Sequence, residues 1–173
     1  MRAADNAGVI AIRPATPGDV DAVLPMVAAI CALHEAWDPE RYDMLPDVVE
    51  RYRRWLPVRA VDPTSVFLVA EGRAGGKAGS ANIVGFLIAT VEENVPIYRT
   101  LEFGFIHDVW VEPDVRGRGV GRELVGSALA EFRARGIGQV RLETASMNEA
   151  ARKLFASCGF RVGTVDMVWV GAG

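Results

Sequence analysis

Between Ile106 and Val125 the chain reads IHDVWVEPDVRGRGVGRELV, and this stretch restricts its architecture more than any other. A run rich in apolar residues ends at Pro113, glycines stand at alternate positions 117, 119 and 121, and an apolar helical face begins at Val120. The pattern predicts a strand, a glycine turn and a helix in immediate succession. Glycines let backbone N–H groups come close to an anion because no Cβ intervenes. The start of a helix adds unpaired N–H donors and the positive end of its dipole. Arg116, Arg118 and Arg122 supply fixed positive charge at the same place. Together these features predict a phosphate or pyrophosphate site, against the plainer reading of a glycine turn whose arginines serve solubility. A Walker loop would close on Gly-Lys-Ser/Thr. A dinucleotide fingerprint would need a glycine where Arg122 stands, after the first strand of a βαβ unit. Neither fits.

The remaining chain reads as alternating strands and helices. Residues 9–13 form a short strand ended by Pro14, and Thr16-Pro17-Gly18-Asp19 opens a helix with Thr16 as its N-cap. That helix runs to about His34, and a second covers Pro46 to Trp55 with its Arg and Glu residues on the wet side. Strands follow at Val66–Glu71, Ile83–Glu92 and Phe103–Glu112, with a Gly-rich hairpin loop from Gly72 to Asn82. A helix runs from Val120 to Gly136, a strand covers Gln139–Thr144, a helix covers Asn148–Ser157, and Phe160–Val170 supplies one or two closing strands. The expected fold is α/β (α+β in some schemes) with the order β-α-α-β-β-β-α-β-α-β-β, a mixed sheet with helices on its faces. At 173 residues, one domain spanning 1–173 is expected.

Charge and cysteine usage remove several function classes. The net charge is −3 and no Lys/Arg block is long enough to track a phosphate backbone, so nucleic acid is not an expected partner. Cys31 and Cys158 stand in no metal-ligand or C-x-x-C spacing, which predicts reduced thiols and no metal. No signal-peptide pattern and no continuous run of about 18 apolar residues is present, so a cytoplasmic protein with no membrane partner is expected.

Two motifs carry a family resemblance. Arg116-Gly117-Arg118-Gly119-Val120-Gly121 resembles the R/Q-x-x-G-x-G/A loop of the GNAT superfamily of N-acetyltransferases. About thirty residues on, NEAARKLFASCGF at 148–160 resembles that superfamily's N-x-x-A-x-x-L-Y-x-x-x-G-F helix and turn. The N-terminal IAIRPATPGDVDAVLPMV is similar to its first strand and helix, so the likeness covers nearly the whole chain. Within the superfamily, the stretch from Phe105 to Gly121 looks closest to the diamine and polyamine (spermidine/spermine-like) acetyltransferases, which carry Leu-Glu-Asp-aromatic-aromatic-Val where this chain has Ile106 to Val111.

The resemblance implies a mostly antiparallel sheet and acetyl-CoA as cosubstrate. It implies that Val109, Trp110 and Val111 offer backbone groups to the pantetheine and the acetyl carbonyl. It further implies that backbone N–H groups from Arg116, Gly117, Arg118, Gly119, Val120, Gly121 and Arg122 grip the pyrophosphate. Asn148 is implied as a ligand of the cofactor arm, although Asn is also a favoured helix N-cap. Two departures stand out. Phe155 occupies the position of the family's Tyr acid and can pack but cannot donate a proton, so it reads either as a cofactor contact or as a core aromatic. His107 occupies the position of the polyamine-type Glu. An imidazole with an ordinary pKa near 6.5 can serve as base at neutral pH, and His107 with Asp108 reads either as the proton acceptor or as a structural hydrogen-bonding pair.

Acetyl transfer to an amine needs a neutral nucleophile, and an alkyl amine has a pKa of about 10.4. A base must therefore take or relay a proton. The reading is direct attack of a small-molecule amine on acetyl-CoA, with His107 or Asp108 receiving the proton. The acceptor pocket is expected between the loop 34–43 and the segment 95–102, with His34, Glu35, Trp37, Asp38, Tyr98 and Glu102 as candidates. Carboxylates and aromatics suit an ammonium group, and solvated loop charges are the alternative. Two further functions use the same motifs: a peptide or protein N-terminal acetyltransferase, and a module that senses acetyl-CoA without turnover. A homodimer is a guess by resemblance, with Trp169 and Val170 as candidate contacts.

Overall fold

The computed structural model describes residues 10–73 and 81–171. Its strands are β1 (Ala11–Pro14), β2 (Ser65–Arg73), β3 (Ala81–Glu93), β4 (Glu102–Val111) and β5 (Val140–Leu142). Its helices are α1 (Val20–Trp37), α2 (Val48–Val61), α3 (Val120–Ala134) and α4 (Glu149–Ser157). The strands form one sheet in the order β1-β2-β3-β4-β5, antiparallel throughout except for the parallel β4–β5 pair. Part of the expected first strand and most of the expected hairpin loop lie outside the described residues. The ends of that loop, Gly72 and Asn82, are paired strand residues.

Each face of the sheet buries its own layer of helices. On one face Val20, Val23, Leu24, Val27 and Ile30 of α1 and Leu56 of α2 pack on Phe67, Val69, Phe86 and Ile88. On the other, Val120, Leu124, Val125, Ala128 and Phe132 of α3 pack on Leu68, Leu87, Ala89 and Ile106. The spacings of the α1 and α3 residues return to the same side of a 3.6-residue turn. Each fully buried aliphatic side chain of this kind contributes roughly 1.5–3 kcal/mol. By length and composition alone Pro17–Trp37 could cross a membrane; its apolar stripe instead lies against the sheet.

The entry into α1 follows the expected signal. Thr16 and Asp19 form a reciprocal capping box around the 3-10 turn Pro17–Asp19, and α1 follows at once. The Asp19 carboxylate also receives Arg13 at 2.9 and 2.8 Å, which ties β1 to the helix start.

Three boundaries differ from expectation. The first helix reaches Trp37, and the second runs six residues past Trp55, through Pro57. A proline removes one helical N–H but does not end a helix whose next turn is held elsewhere. Leu56 is fully buried beside it and Arg59 pairs with Asp62 at 2.9 Å. The third difference is the tail: Phe160–Val170 forms no strand. Period-two alternation makes a segment able to pair, but pairing needs a long enough edge. β5, the outermost strand, is only three residues long. The tail lies exposed, with Val162 at 83%, Met167 at 89% and Trp169 at 88%.

Candidate active site

The site grows from an irregularity in β4. Along the β3–β4 ladder Ala89 faces Ile106 and Ile88 faces Asp108, so His107 is an extra residue on β4. Such a bulge breaks strict alternation. Ile106, Val109 and Val111 point to the α3 face, whereas Asp108 and Trp110 belong to the α1/α2 side. His107 points to the α1/α2 side too, against Trp55 and Phe105. Consecutive His and Asp side chains thus stand on one face, which regular alternation forbids.

Each has a distinct polar environment. Tyr52 of α2 donates its hydroxyl to Asp108 Oδ2 at 2.8 Å. Burial raises the Asp108 carboxyl above the usual range, and the Tyr52 bond partly offsets this. Burial first, and then the same carboxylate, pushes the Tyr52 hydroxyl far up, so it stays a donor. Cys31 of α1 shares this neighbourhood: burial first, then the nearby Asp108 and Glu35, raise its thiol to about 11. His107 Nε2 lies 2.7 Å from Thr90 Oγ1, and Thr90 Oγ1 donates to Glu92 Oε1 at 2.6 Å. Burial lowers the His107 pKa, with Glu92 opposing and Arg59 reinforcing the shift. The imidazole is therefore neutral at neutral pH.

Beyond this point β4 is open on one side. β5 pairs with it from Gly104 to Ile106, so from His107 onward β4 has no strand partner on the β5 side among the described residues. The open half leads to the glycine turn. Gly117 and Gly119 have φ of +77° and +89°, values a side chain resists, and Gly119 is the N-cap of α3 with no side-chain bond to the helix start. The first amides of α3 are thus free to bind an anion. Arg118 and Arg122 are exposed at this turn. Arg116 turns back: its Nε donates to the Val111 carbonyl at 2.8 Å and its guanidinium covers Trp110 at 4.6 Å. That carbonyl is taken by the protein itself, and Val120 puts its side chain in the core, leaving its amide to the turn.

Asn148 caps α4, its Oδ1 accepting from the Ala151 amide at 3.0 Å, so the capping reading holds and its amide NH2 stays available. Phe155 is a core aromatic, 8% exposed and edge-on to Phe160. The expected acceptor residues do not form one group. His34 stacks on Tyr42 at 4.6 Å near Trp37, while Asp38 shapes the following turn and Glu35 is exposed. Tyr98 sits on the separate β3–β4 connection and Glu102 is the first residue of β4, both exposed. No hydrogen bond, ion pair or ring contact among the described residues links them to the α1–α2 loop. Gathered at His107 and Asp108 instead are Tyr52, Trp55, Thr90 and Glu92, which sequence reasoning missed. Their signal was present: Tyr52 and Trp55 are one helical turn apart, and Thr90 and Glu92 are two apart on a strand, hence on one face. No group of three or more potential metal ligands occurs among the described residues.

Residues 28–160 match the acetyltransferase (GNAT) family. A mycothiol acetyltransferase from a Nocardioides species is 30% identical over 165 residues, covering 92% of this chain and 52% of that protein. The chain spans about half the length, or less, of the curated mycothiol acetyltransferases it matches. Among solved structures, a GCN5-related N-acetyltransferase from Ralstonia eutropha aligns with TM-score 0.70 and 25% identity over 95% of this chain and all of that one. An aminoglycoside N-acetyltransferase in complex with CoA shares the fold, with TM-score 0.70 and 14% identity over 98% and 99% of the two chains. These curated relatives are named for mycothiol and not for polyamines.

Proposed function

Because this chain belongs to the acetyltransferase (GNAT) family, we propose that it transfers the acetyl group of acetyl-CoA to a primary amine of a small molecule. The observation that carries this reading is the continuity of the site: His107 and Asp108 stand where the open half of β4 begins, and the anion-binding turn stands where it ends. A long thioester can lie along that half-strand, with its pyrophosphate on the amides from Gly117 to Arg122 and its acetyl end at the bulge. Val109 and Trp110 offer backbone groups along the way, and the Asn148 amide faces the arm. Phe155 lends only packing.

In this reading the acceptor ammonium gives a proton to His107, the neutral amine attacks the acetyl carbonyl carbon, a C–N bond forms and the C–S bond breaks. The coenzyme leaves as a thiolate, which at a pKa of about 8.5 is a fair leaving group, and takes its proton from water or the product ammonium. Asp108, held by Tyr52, keeps a negative or shared-proton group beside the incoming cation. The small-amine class is suggested by the names of the relatives, mycothiol acetyltransferase and aminoglycoside N-acetyltransferase. The likeness of residues 106–111 to polyamine enzymes makes polyamines a second acceptor class to assay.

Release of free CoA thiol from acetyl-CoA, assayed against aminoglycosides, amino sugars, diamines, polyamines and short peptides, tests the reading. Release dependent on one small-amine class supports it. Release with peptides alone would replace it by N-terminal acetylation, and acetyl-CoA binding without release would replace it by a sensor. His107→Ala is expected to lower kcat at least tenfold and remove the acidic limb of its pH profile; an unchanged profile would exclude His107 as the base. We also propose self-association in which a second copy covers the exposed apolar side chains of the tail, Val162, Val165, Met167 and Trp169.

A further inference from the structure

We infer that Thr90 and Glu92 are positioning residues that hold His107 with its proton on Nε2, so that Nδ1 is the atom that receives the acceptor's proton and Glu92 is the terminal carboxylate of a His107–Thr90–Glu92 chain. The inference deepens the acetyltransferase reading and rests on it for the identity of the proton donor. The bonding geometry itself stands independently.

The assignment follows from counting protons. A threonine hydroxyl has one proton to give, and an ionised carboxylate can only accept. The Thr90 Oγ1 to Glu92 Oε1 separation of 2.6 Å therefore uses the Thr90 proton. The 2.7 Å contact between Thr90 Oγ1 and His107 Nε2 must then use a proton on Nε2. The reverse arrangement would leave Thr90 and Glu92 oxygens facing each other with no proton between them. Nδ1 makes no hydrogen bond among the described residues, so its lone pair is free. Protonation at Nδ1 yields an imidazolium whose Nε2–H still points along Thr90 to the Glu92 carboxylate, 3.8 Å from Nε2. The carboxylate stabilises that cation without touching the acceptor.

The chain is built rather than incidental. Thr90 is 5% exposed, and its hydroxyl is satisfied only through these two partners. Thr90 and Glu92 lie two apart on β3, on the face that the bulge gives to His107. Trp55 and Phe105 hold the ring edge-on at 5.7 and 5.1 Å, which fixes its plane. The charged and titratable groups around His107 are few. Glu92 on β3 favours the cation, Arg59 on α2 opposes it, and Asp108 on β4 is engaged by Tyr52 of α2, with Cys31 of α1 beyond.

The chain has two histidines, His34 and His107, so long-range proton–nitrogen NMR of the 15N-labelled protein resolves both rings. Above its titration midpoint His107 is expected in the Nε2–H form. In Glu92→Gln its midpoint should fall by about 0.5 to 1 pH unit, reduced from a buried pair's effect because Glu92 is partly exposed. Thr90→Val should mix the tautomers, and Thr90→Ser should restore the parent spectrum. The acidic limb of kcat/KM should move with the NMR midpoint in each variant. A parent His107 in the Nδ1–H form, or an unchanged midpoint in Glu92→Gln, would overturn the inference. Glu92 lies at the surface, so that variant keeps the test open should Thr90→Val fail to fold. The expected spectra without acetyl transfer to any amine would uphold the chain of bonds and count against the acetyltransferase reading alone.

Discussion

At the scale of single residues, the groups visible in the sequence were those of unusual type: His107, Asp108, the arginines of the glycine turn. Their partners were invisible because they are ordinary residues made special by distance in space. Tyr52 is 56 positions from Asp108, and only the packing of α2 on the sheet brings the two within 2.8 Å. Tyr52→Phe should cost about 1.5–3 kcal/mol in urea unfolding near neutral pH, because it leaves a half-buried carboxyl short of a donor. The loss should shrink as Asp108 becomes protonated at lower pH, since the Tyr52 bond favours its ionised form. Asp19 lies within a helix-opening signal that was legible with Thr16 as its N-cap, and the structure adds Asp19's own part in the capping box. Its bonds to Arg13 first, and then to Thr16, hold its carboxyl well below the ordinary value of 3.8. The stability it contributes is therefore complete above that value and is lost as pH falls through the lower, folded-state value. Asp19→Asn should lower unfolding free energy by about 1–2 kcal/mol at pH 7, and the gap should close in strong acid.

At the scale of elements, the glycine turn before α3 was readable because its glycines are local requirements. Gly119→Ala would place a side chain at φ +89°, a strain of roughly 1–2 kcal/mol, with its Cβ in the open space beside the start of α3 where no atom beyond its chain neighbours lies within 4 Å. The expected result is a rise in KM for acetyl-CoA of tenfold or more with a fall of only a few degrees in Tm. Gly85 shows the contrary balance. A Cβ there would stand 2.7 Å from the Trp110 backbone carbonyl, so Gly85→Ala should mainly lower Tm, read by thermal unfolding. Helix ends were less legible than helix faces: α2 continues through Pro57 because Leu56 is anchored on the sheet, a fact of packing rather than of propensity. The tail shows the same limit for strands. VGTVDMVWV alternates well enough to suggest pairing, but alternation does not supply an edge.

At the scale of the whole molecule, the succession of elements up to α4 and the helices on the faces of the sheet followed from hydrophobic periods, which act over long stretches and average out local ambiguity. The acceptor pocket did not, since it depends on how separate loops meet. The tail couples to the body through Arg41, which pairs with Asp166 and reaches Glu143 at 3.4 Å. If Val162, Val165, Met167 and Trp169 are covered by a second copy, sedimentation velocity should show a dimer that Met167→Lys and Trp169→Lys convert to monomer without loss of helical signal. A parent that remains monomeric at high concentration would remove self-association.

The bulge in β4 has a bearing on how such a strand can gain or lose a residue. Deleting Val109 or Trp110 would turn every following side chain to the opposite face and put core residues into the wrong layer. Deleting His107 alone would make Ile106 and Asp108 neighbours opposite Ala89 and Ile88, a regular ladder in which every remaining side chain keeps its side. Within β4, the His107 imidazole thus sits at a position where a one-codon deletion spares the scaffold. The chain lacking His107 should fold with a near-parental melting profile and fail only in what the imidazole does.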